Sequence, residues 1–450
     1  MRIVGFLALF VVTSSQAATY YVSNDGDDRA SGKSDAEAWA TLDKVNRQPL
    51  KQGDVVLFRE GDRWQGKLAV DWSGTASAYA TVGAYHVENG TAVKGFRNQR
   101  PVIEGAGRYP GGIYDALIMV NTHDYVRIEN LEIRSSEGRG IGFAHSNYGD
   151  VVNVVVDGTY FDGVHFLDSD RGSVSRSRVT RSNLVFPRDG KKHDWGAAIT
   201  FRQSDSGRVV GTTVAEAYGE GINANHGSRG TLIEDNRVFA ARAVGIYADA
   251  APSTTIRRNV VVGTANSAFW RSGDSVGPGI AINDEKYHYK SGGGALSDDV
   301  QSKDVKIEDN VVVYASSGIA LWLAAPQASH DDLIVTSNTL IDNDRQISGL
   351  GASAPGGLLA DNVLMSISEG TRDVDSAKLA GITARNNYFS RGDPGGELSH
   401  AGNRHDGIAL RKTGWRSIDS IDDVDWDELA RIARSSTVGS GTERPPAYQN

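Results

Sequence analysis

The 450-residue sequence contains no cysteine, three methionines and eleven prolines. The missing cysteine excludes disulfide scaffolds, thiolate metal sites and cysteine nucleophiles together. Positive charge is also short, with 47 Lys and Arg against 56 Asp and Glu, a formal net charge of −9. Such a balance gives no general attraction to nucleic acid or to an anionic membrane. Long apolar runs are missing except at the start, where Arg2 precedes the ten apolar residues Ile3 to Val12 and the small-x-small stretch Ser15-Gln16-Ala17. Ten apolar residues are too few to span a bilayer, so this reads as a secretory signal over residues 1–18, cut after Ala17 or Ala18.

What is abundant is glycine, 52 residues with no three-residue period, which excludes collagen. The 39% of hydrophobic residues supply a core. They fall in a repeat of two short β-branched runs flanking a polar corner, as in Leu232-Ile233-Glu234-Asp235-Asn236-Arg237-Val238-Phe239. The corners are placed at Asn130, Asp157, Ser177, Gly211, Asn236, Asn259, Asn310, Asn338, Asn362 and Asn387. Before the next copy comes a third run opened by glycine and an apolar residue, such as Gly163-Val164, Gly221-Ile222, Gly245-Ile246 and Gly279-Ile280. Three short strands in each unit of about two dozen residues, with no helical pattern between them, describe a solenoid. Stacked coils let asparagines at one corner ladder their amides along the axis.

This pattern resembles the right-handed parallel β-helix of the pectate-lyase-like superfamily, over roughly residues 50 to 390. The resemblance implies an all-β, single-stranded right-handed parallel β-helix with short capping helices at both ends. It also implies an extracellular polysaccharide hydrolase or lyase. The expected layout is a strand and capping helix over 19–50, the solenoid over 51–390, and a cap and tail over 391–450. Ser34-Asp35-Ala36-Glu37 reads as a capping box opening a helix to about Asn46, with Trp39 and Leu42 sealing the first coil. A second helix is expected from Asp425 to Arg434, and Gly439 to Asn450 as a loose tail.

Three insertions, Leu184 to Trp195, Gly263 to Pro278 and Asp284 to Lys303, border the face of the first strands and would wall a cleft there. Strand alternation points two columns into it: His165, Thr200, Asn223 and Tyr247, then Arg202, Asn225, Asp249, Asn283 and Trp322. Amides, carboxylates and flat rings together suit sugar hydroxyls and pyranose faces. Asp162 and Glu220 each precede a first-strand glycine, two rungs or roughly 9–10 Å apart, the spacing of an inverting acid/base pair. Asp194 lies one rung from Glu220, closer to a retaining pair. Asp249, about five residues along the strand and roughly 16 Å from Glu220, reads as a substrate contact.

A competing chemistry is β-elimination or epimerisation of a uronate polymer. Lys191, Lys192, His193, Arg202, Arg242 and Arg271 would then neutralise the substrate carboxylate, with Tyr247 or His226 moving protons. The asparagine-threonine-aspartate and paired-aspartate motifs of polygalacturonases are absent, as is the aspartate-proline-histidine-aspartate motif of alginate epimerases. Hydrolysis by Glu220 with Asp162 or Asp194 is the leading expectation, His193 standing beside them. A non-catalytic glycan binder or surface scaffold is the third. No cofactor is expected, with calcium reserved for the lyase case and Asp168, Asp170 and Asp249 as its ligands. The expected partner is a polysaccharide or oligosaccharide, for a monomer that neither inserts in a membrane nor binds nucleic acid.

Overall fold

The structure is a computed structural model describing residues 17–112, 114–190, 195–273, 275–285, 302–323, 329–349, 353–374, 380–390 and 415–435. Its strands form three long sheets in which each coil adds one strand to each sheet, parallel to the one before. A representative coil runs through the first strand Glu220–Asn225, the second Leu232–Glu234 and the third Arg237–Phe239, then enters the next first strand at Ile246–Asp249. Register is kept from coil to coil, so identical inward positions align. Ile199, Ile222, Ile246, Ile280, Ile319 and Ile347 form one such column, all buried. Phe143, Phe166 and Phe201 form another, with ring centroids 4.8 and 4.7 Å apart and nearly coplanar orientation. The glycine that opens many first strands has a steric cause. A Cβ at Gly221 would stand 2.2 Å from the Gly245 carbonyl oxygen, where the third strand turns tightly into the first.

The corner between second and third strands is a two-residue turn. Its first residue is left-handed and its second faces inward. Asp235, Arg258, Asp309, Ser337 and Asp361 take the left-handed position, with φ between 54° and 60°. Asn236, Asn259, Asn310, Asn338, Asn362 and Asn387 take the inner one, and each amide donates from Nδ2 to the next Oδ1 at 2.9–3.0 Å. The same Oδ1 atoms accept backbone N–H groups of the preceding coil, and the Nδ2 groups also cap strand carbonyls such as that of Ile307. Earlier coils continue the column with Thr212 and Ser177 hydroxyls and then Val154 and Leu131. This corrects three sequence placements. Asn130 and Gly211 occupy the left-handed position one residue ahead of the ladder. Asp157 lies within the third strand, four residues past the true Asn153-Val154 corner, and pairs with Arg181.

At the N-terminal end, Thr19–Val22 joins the second-strand sheet beside Val55–Arg59. Trp39 stacks on Tyr20 and, with Leu42, Val45 and Trp64, covers the first coil's core. The expected single helix is broken, however. Asp35–Glu37 is one 3-10 turn with no side-chain cap from Ser34, and a new helix, Leu42–Arg47, is capped by Thr41. Burying Trp39 requires the extended segment between them.

At the other end a helix spans Trp426–Ser435, with Asp425 Oδ1 accepting the Glu428 N–H at its start. Trp415, Ile418, Val424 and Leu429 lie on the outer side of the third strands, against Val260, Val262, Val311, Val313 and Ile341. This explains the unalternating Val-Val-Val runs. Their middle residues, Val261 and Val312, face the solenoid core while the flanking valines are covered from outside.

Asn338 holds the ladder from both sides, so Asn338→Ala removes the acceptor of the Asn310 N–H and Nδ2 and the donor to the Asn362 Oδ1 and the Ile307 carbonyl. We expect a loss of about 3 kcal/mol in urea unfolding, the scale set by stranded buried hydrogen-bonding groups. A loss under about 1 kcal/mol would show the ladder to be ornamental.

Candidate active site

First strands Ala197–Arg202, Glu220–Asn225, Ile246–Asp249 and Ile280–Asn283 stand side by side, and their outward residues form the expected columns. His165, Thr200, Asn223 and Tyr247 are in register, as are Arg202, Asn225, Asp249 and Asn283. Above them is a cavity of about 230 Å³. Its floor is made by Glu220, Asn223, Asn225, Tyr247 and Asp249, with Arg202 and His226 at one side. Its opposite side carries Trp195, Arg271, Glu285 and Trp322.

Three carboxyl groups meet here. Glu220 is 7% exposed and accepts a hydrogen bond from Asn223 Nδ2. Burial, reinforced by repulsion from Glu285 and opposed by that amide, pushes its carboxyl up to about 8. Asp249 is held well above the ordinary carboxylate range, by burial first and then by Glu285 and Glu220. Its Oδ1 accepts the Glu285 N–H at 2.9 Å. The Glu285 carboxylate accepts from the Tyr247 hydroxyl at 3.2 Å and from Asn283 Nδ2 at 3.3 Å. Asn283 also donates to the Tyr247 oxygen at 2.9 Å. Burial, with Asp249 and Glu285 beside it, raises the Tyr247 phenol, so it stays an O–H donor. Buried Asn223 and Asn225 each keep an Oδ1 without a partner on the cavity side of the sheet. Those atoms are ready acceptors for ligand hydroxyls.

The far wall is a pile of rings and guanidinium groups. Arg242 lies 3.5 Å from the Phe186 centroid and 4.8 Å from that of Trp195. Arg271 follows at 5.6 Å from Trp195 and 5.0 Å from Trp322. Arg242 Nη2 donates to the Arg271 carbonyl at 3.3 Å, and Arg271 Nη1 donates to the carbonyl of Ala243, the residue after Arg242, at 3.0 Å. Cation–π contacts of this kind hold flat faces in place.

Arg202, Asn223, Asn225, His226, Tyr247, Asp249, Arg271 and Trp322 are thus brought to one cavity with Glu220. Three expectations change. Asp162 lies outside the cavity, 2% exposed, contacted by Arg139 and His165 at 2.8 Å each and by the Ala197 N–H at 2.9 Å. Burial would raise it, but those contacts hold it below the ordinary range, so it is a fixed anion rather than a proton carrier. His165 is buried against it and does not line the cavity. Arg242 is 4% exposed and sits inside the wall rather than at its surface. Asp249, expected as a substrate contact, lines the same cavity as Glu220. Asp194, His193, Lys191 and Lys192 lie outside the described residues.

Asp168 pairs with His145 at 2.9 Å, and Asp170 accepts the Asp205 N–H at 2.8 Å. Neither joins Asp249, and no three His, Asp or Glu side chains among the described residues gather as metal ligands. Sequence reasoning missed Glu285 and Trp195. The signal for Glu285 was the two-residue alternation itself, since Ala281, Asn283 and Glu285 share one parity.

A family profile described as "Right handed beta helix region" matches residues 116–284. A curated relative, a lacto-N-biosidase of Bifidobacterium longum subsp. longum, is 30% identical over 138 residues. That match takes in 28% of this chain and only 9% of the relative. Among solved structures, a rhamnogalacturonan lyase superposes with a TM-score of 0.58 at 11% identity, covering 92% of this chain and 98% of its own. A lacto-N-biosidase from Eubacterium ramulus gives 0.49 at 16% identity, over 82% of this chain and 67% of that one. The fold is therefore the right-handed parallel β-helix. No helix among the described residues is long and apolar enough to cross a membrane.

The raised Glu220 has a measurable consequence for stability. The unfolded chain releases this proton above 4.5, whereas the folded chain keeps it until about 8. Stability from this group is therefore full below 4.5 and is lost as pH rises to 8. Glu220→Gln should gain unfolding free energy relative to the native chain between about pH 5 and about pH 9. A pH-independent difference would show that Glu220 titrates normally.

Proposed function

We propose that this chain is an exported, monomeric carbohydrate-active enzyme that hydrolyses a glycosidic bond in an oligo- or polysaccharide, without a cofactor. The observation that carries the reading is Glu220, buried and with its carboxyl pushed up to about 8 by that burial, facing one cavity with Glu285. A neutral carboxylic acid donates its proton to the glycosidic oxygen while a second carboxylate activates water or attacks the anomeric carbon. Glu285, oriented by Tyr247 and Asn283, takes that second role. Asp249, kept neutral by burial and its neighbours, binds substrate hydroxyls. Trp195 and Trp322 offer faces for pyranose rings. The partial sequence likeness to a lacto-N-biosidase supports a carbohydrate enzyme.

β-Elimination fits less well, because neither of its expected proton carriers, Tyr247 and His226, is a ready base. Burial, together with the Glu285 carboxylate that accepts its proton's hydrogen bond, keeps the Tyr247 phenol protonated. Burial and the nearby Arg202 push the His226 imidazole down to about 3, leaving a weak proton acceptor. A lyase would release unsaturated sugars that absorb in the ultraviolet, and a hydrolase would not.

The test incubates the mature protein with neutral and acidic glycans, following reducing ends and ultraviolet absorbance together. Reducing ends should form without absorbance and persist with a chelator. They should fall at least about a hundredfold in Glu220→Gln and in Glu285→Gln. Because the acid must be protonated, the rate should decline as pH rises through about 8. Absorbing products would overturn hydrolysis. Binding of glycans with no cleavage of any would leave the scaffold reading.

A further inference from the structure

Arg202 differs from the strand arginines that are held in ion pairs. Arg127, Arg139, Arg257 and Arg258 each have a carboxylate oxygen within 2.6–2.9 Å. The exposed Arg202 side chain has no ion pair or side-chain hydrogen bond among the described residues. The carboxylate whose charge reaches it is Asp162. That group is already occupied by Arg139, His165, the Ala197 N–H and, at 3.4 Å, the Thr200 hydroxyl. Arg202 nevertheless lines the cavity, one rung from Asn225 and two from Asp249. A rung is about 4.8 Å, comparable with the rise of one sugar unit in an extended glycan.

We propose that Arg202 is a specificity determinant for an acidic sugar, taking the carboxylate of a uronic acid unit at the subsite beside the cleaved bond. A planar guanidinium with its donors uncommitted binds a carboxylate through two parallel hydrogen bonds. The buried, unpartnered Asn225 Oδ1 on the adjacent rung accepts a hydroxyl of the same or the next unit. His226 beside it is kept neutral by burial and by Arg202 itself, so no second histidine charge is needed and Arg202 supplies the local positive charge on this side. The inference rests on the glycan-cleaving reading and adds the chemical class of the substrate.

The experiment has two arms. In the first, kcat/KM is measured on size-matched uronate oligosaccharides and their carboxyl-reduced neutral counterparts. The native chain should prefer the acidic series, and Arg202→Gln should lower the acidic-to-neutral ratio by about ten- to a hundredfold, mainly through KM. Arg202→Lys should restore part of that ratio. A native chain preferring the neutral series, or an Arg202→Gln variant losing both series equally, overturns the proposal. In the second arm, calorimetry follows binding of the same pairs to Glu220→Gln, with and without Arg202→Gln. Acidic binding that depends on Arg202, with no turnover by the native chain, keeps the proposal and sinks the hydrolase. Equal binding of both series sinks the proposal whatever the activity.

Discussion

In a β-helix, backbone hydrogen bonds run between coils rather than within them, and parallel strands accept only one spacing, about 4.8 Å. Each coil must therefore close on the same perimeter as its neighbours or forfeit a row of bonds. The corner asparagines enforce that closure. Each spans two coils with both its donor and its acceptor, and its backbone N–H is held by the next amide along. A residue inserted into a strand would shift an entire column, whereas one inserted into a loop shifts nothing. The sequence largely follows that division: the long insertions fall between strands, as between Val262 and Ile280, while Ser353–Ala360 takes up its extra residues as a bulge against Ala380–Arg385.

The same constraint makes the cavity. Arg202, Asn225, Asp249 and Asn283 are up to 81 positions apart in the chain, yet successive members stand one rung apart because register is preserved. Rigid strands supply the floor, and the insertions supply only the walls. Burial of the floor follows from the walls. Trp195, Arg271 and Trp322 remove water from Glu220, and desolvation is the largest influence on its protonation. An acid raised in this way depends on residues distant in sequence, which is why composition around Glu220 alone says little about its chemistry.

Legibility followed periodicity. The Asn corners, the Gly-Ile first strands and the outward columns were readable because each repeats with the coil. Asp157 was misplaced where the ladder passes to Val154 and Leu131, apolar residues that carry no corner signature. The break between Glu37 and Leu42 was hidden because Trp39's burial, not local propensity, decides it. Backbone spacing alone does not show that Glu220 leans along its strand to meet Asn223, three residues on. Glu285 escaped because strand alternation continues two residues past Asn283 into what reads as loop.

Charge distribution separates structural from chemical work on the two sides of Glu220. Asp162 is an anion surrounded by donors, and its contacts with Arg139, His165 and Ala197 tie three successive coils together. Glu220 has a single side-chain donor, Asn223, and anions for neighbours, so burial leaves it neutral. Two acids that look equivalent in sequence, each just before a first-strand glycine, thus diverge by their partners alone. The arginine wall completes the contrast. Among the described residues, buried Arg242 has Nε and Nη1 without hydrogen-bond partners and is compensated by ring faces and the Arg271 carbonyl. A buried charge is a poor stabiliser, since well-packed apolar residues of similar volume often serve as well or better. Its place behind Arg271 is understandable as a brace that fixes the Trp195–Arg271–Trp322 surface against the cavity, so that the ring faces stay flat to whatever occupies it.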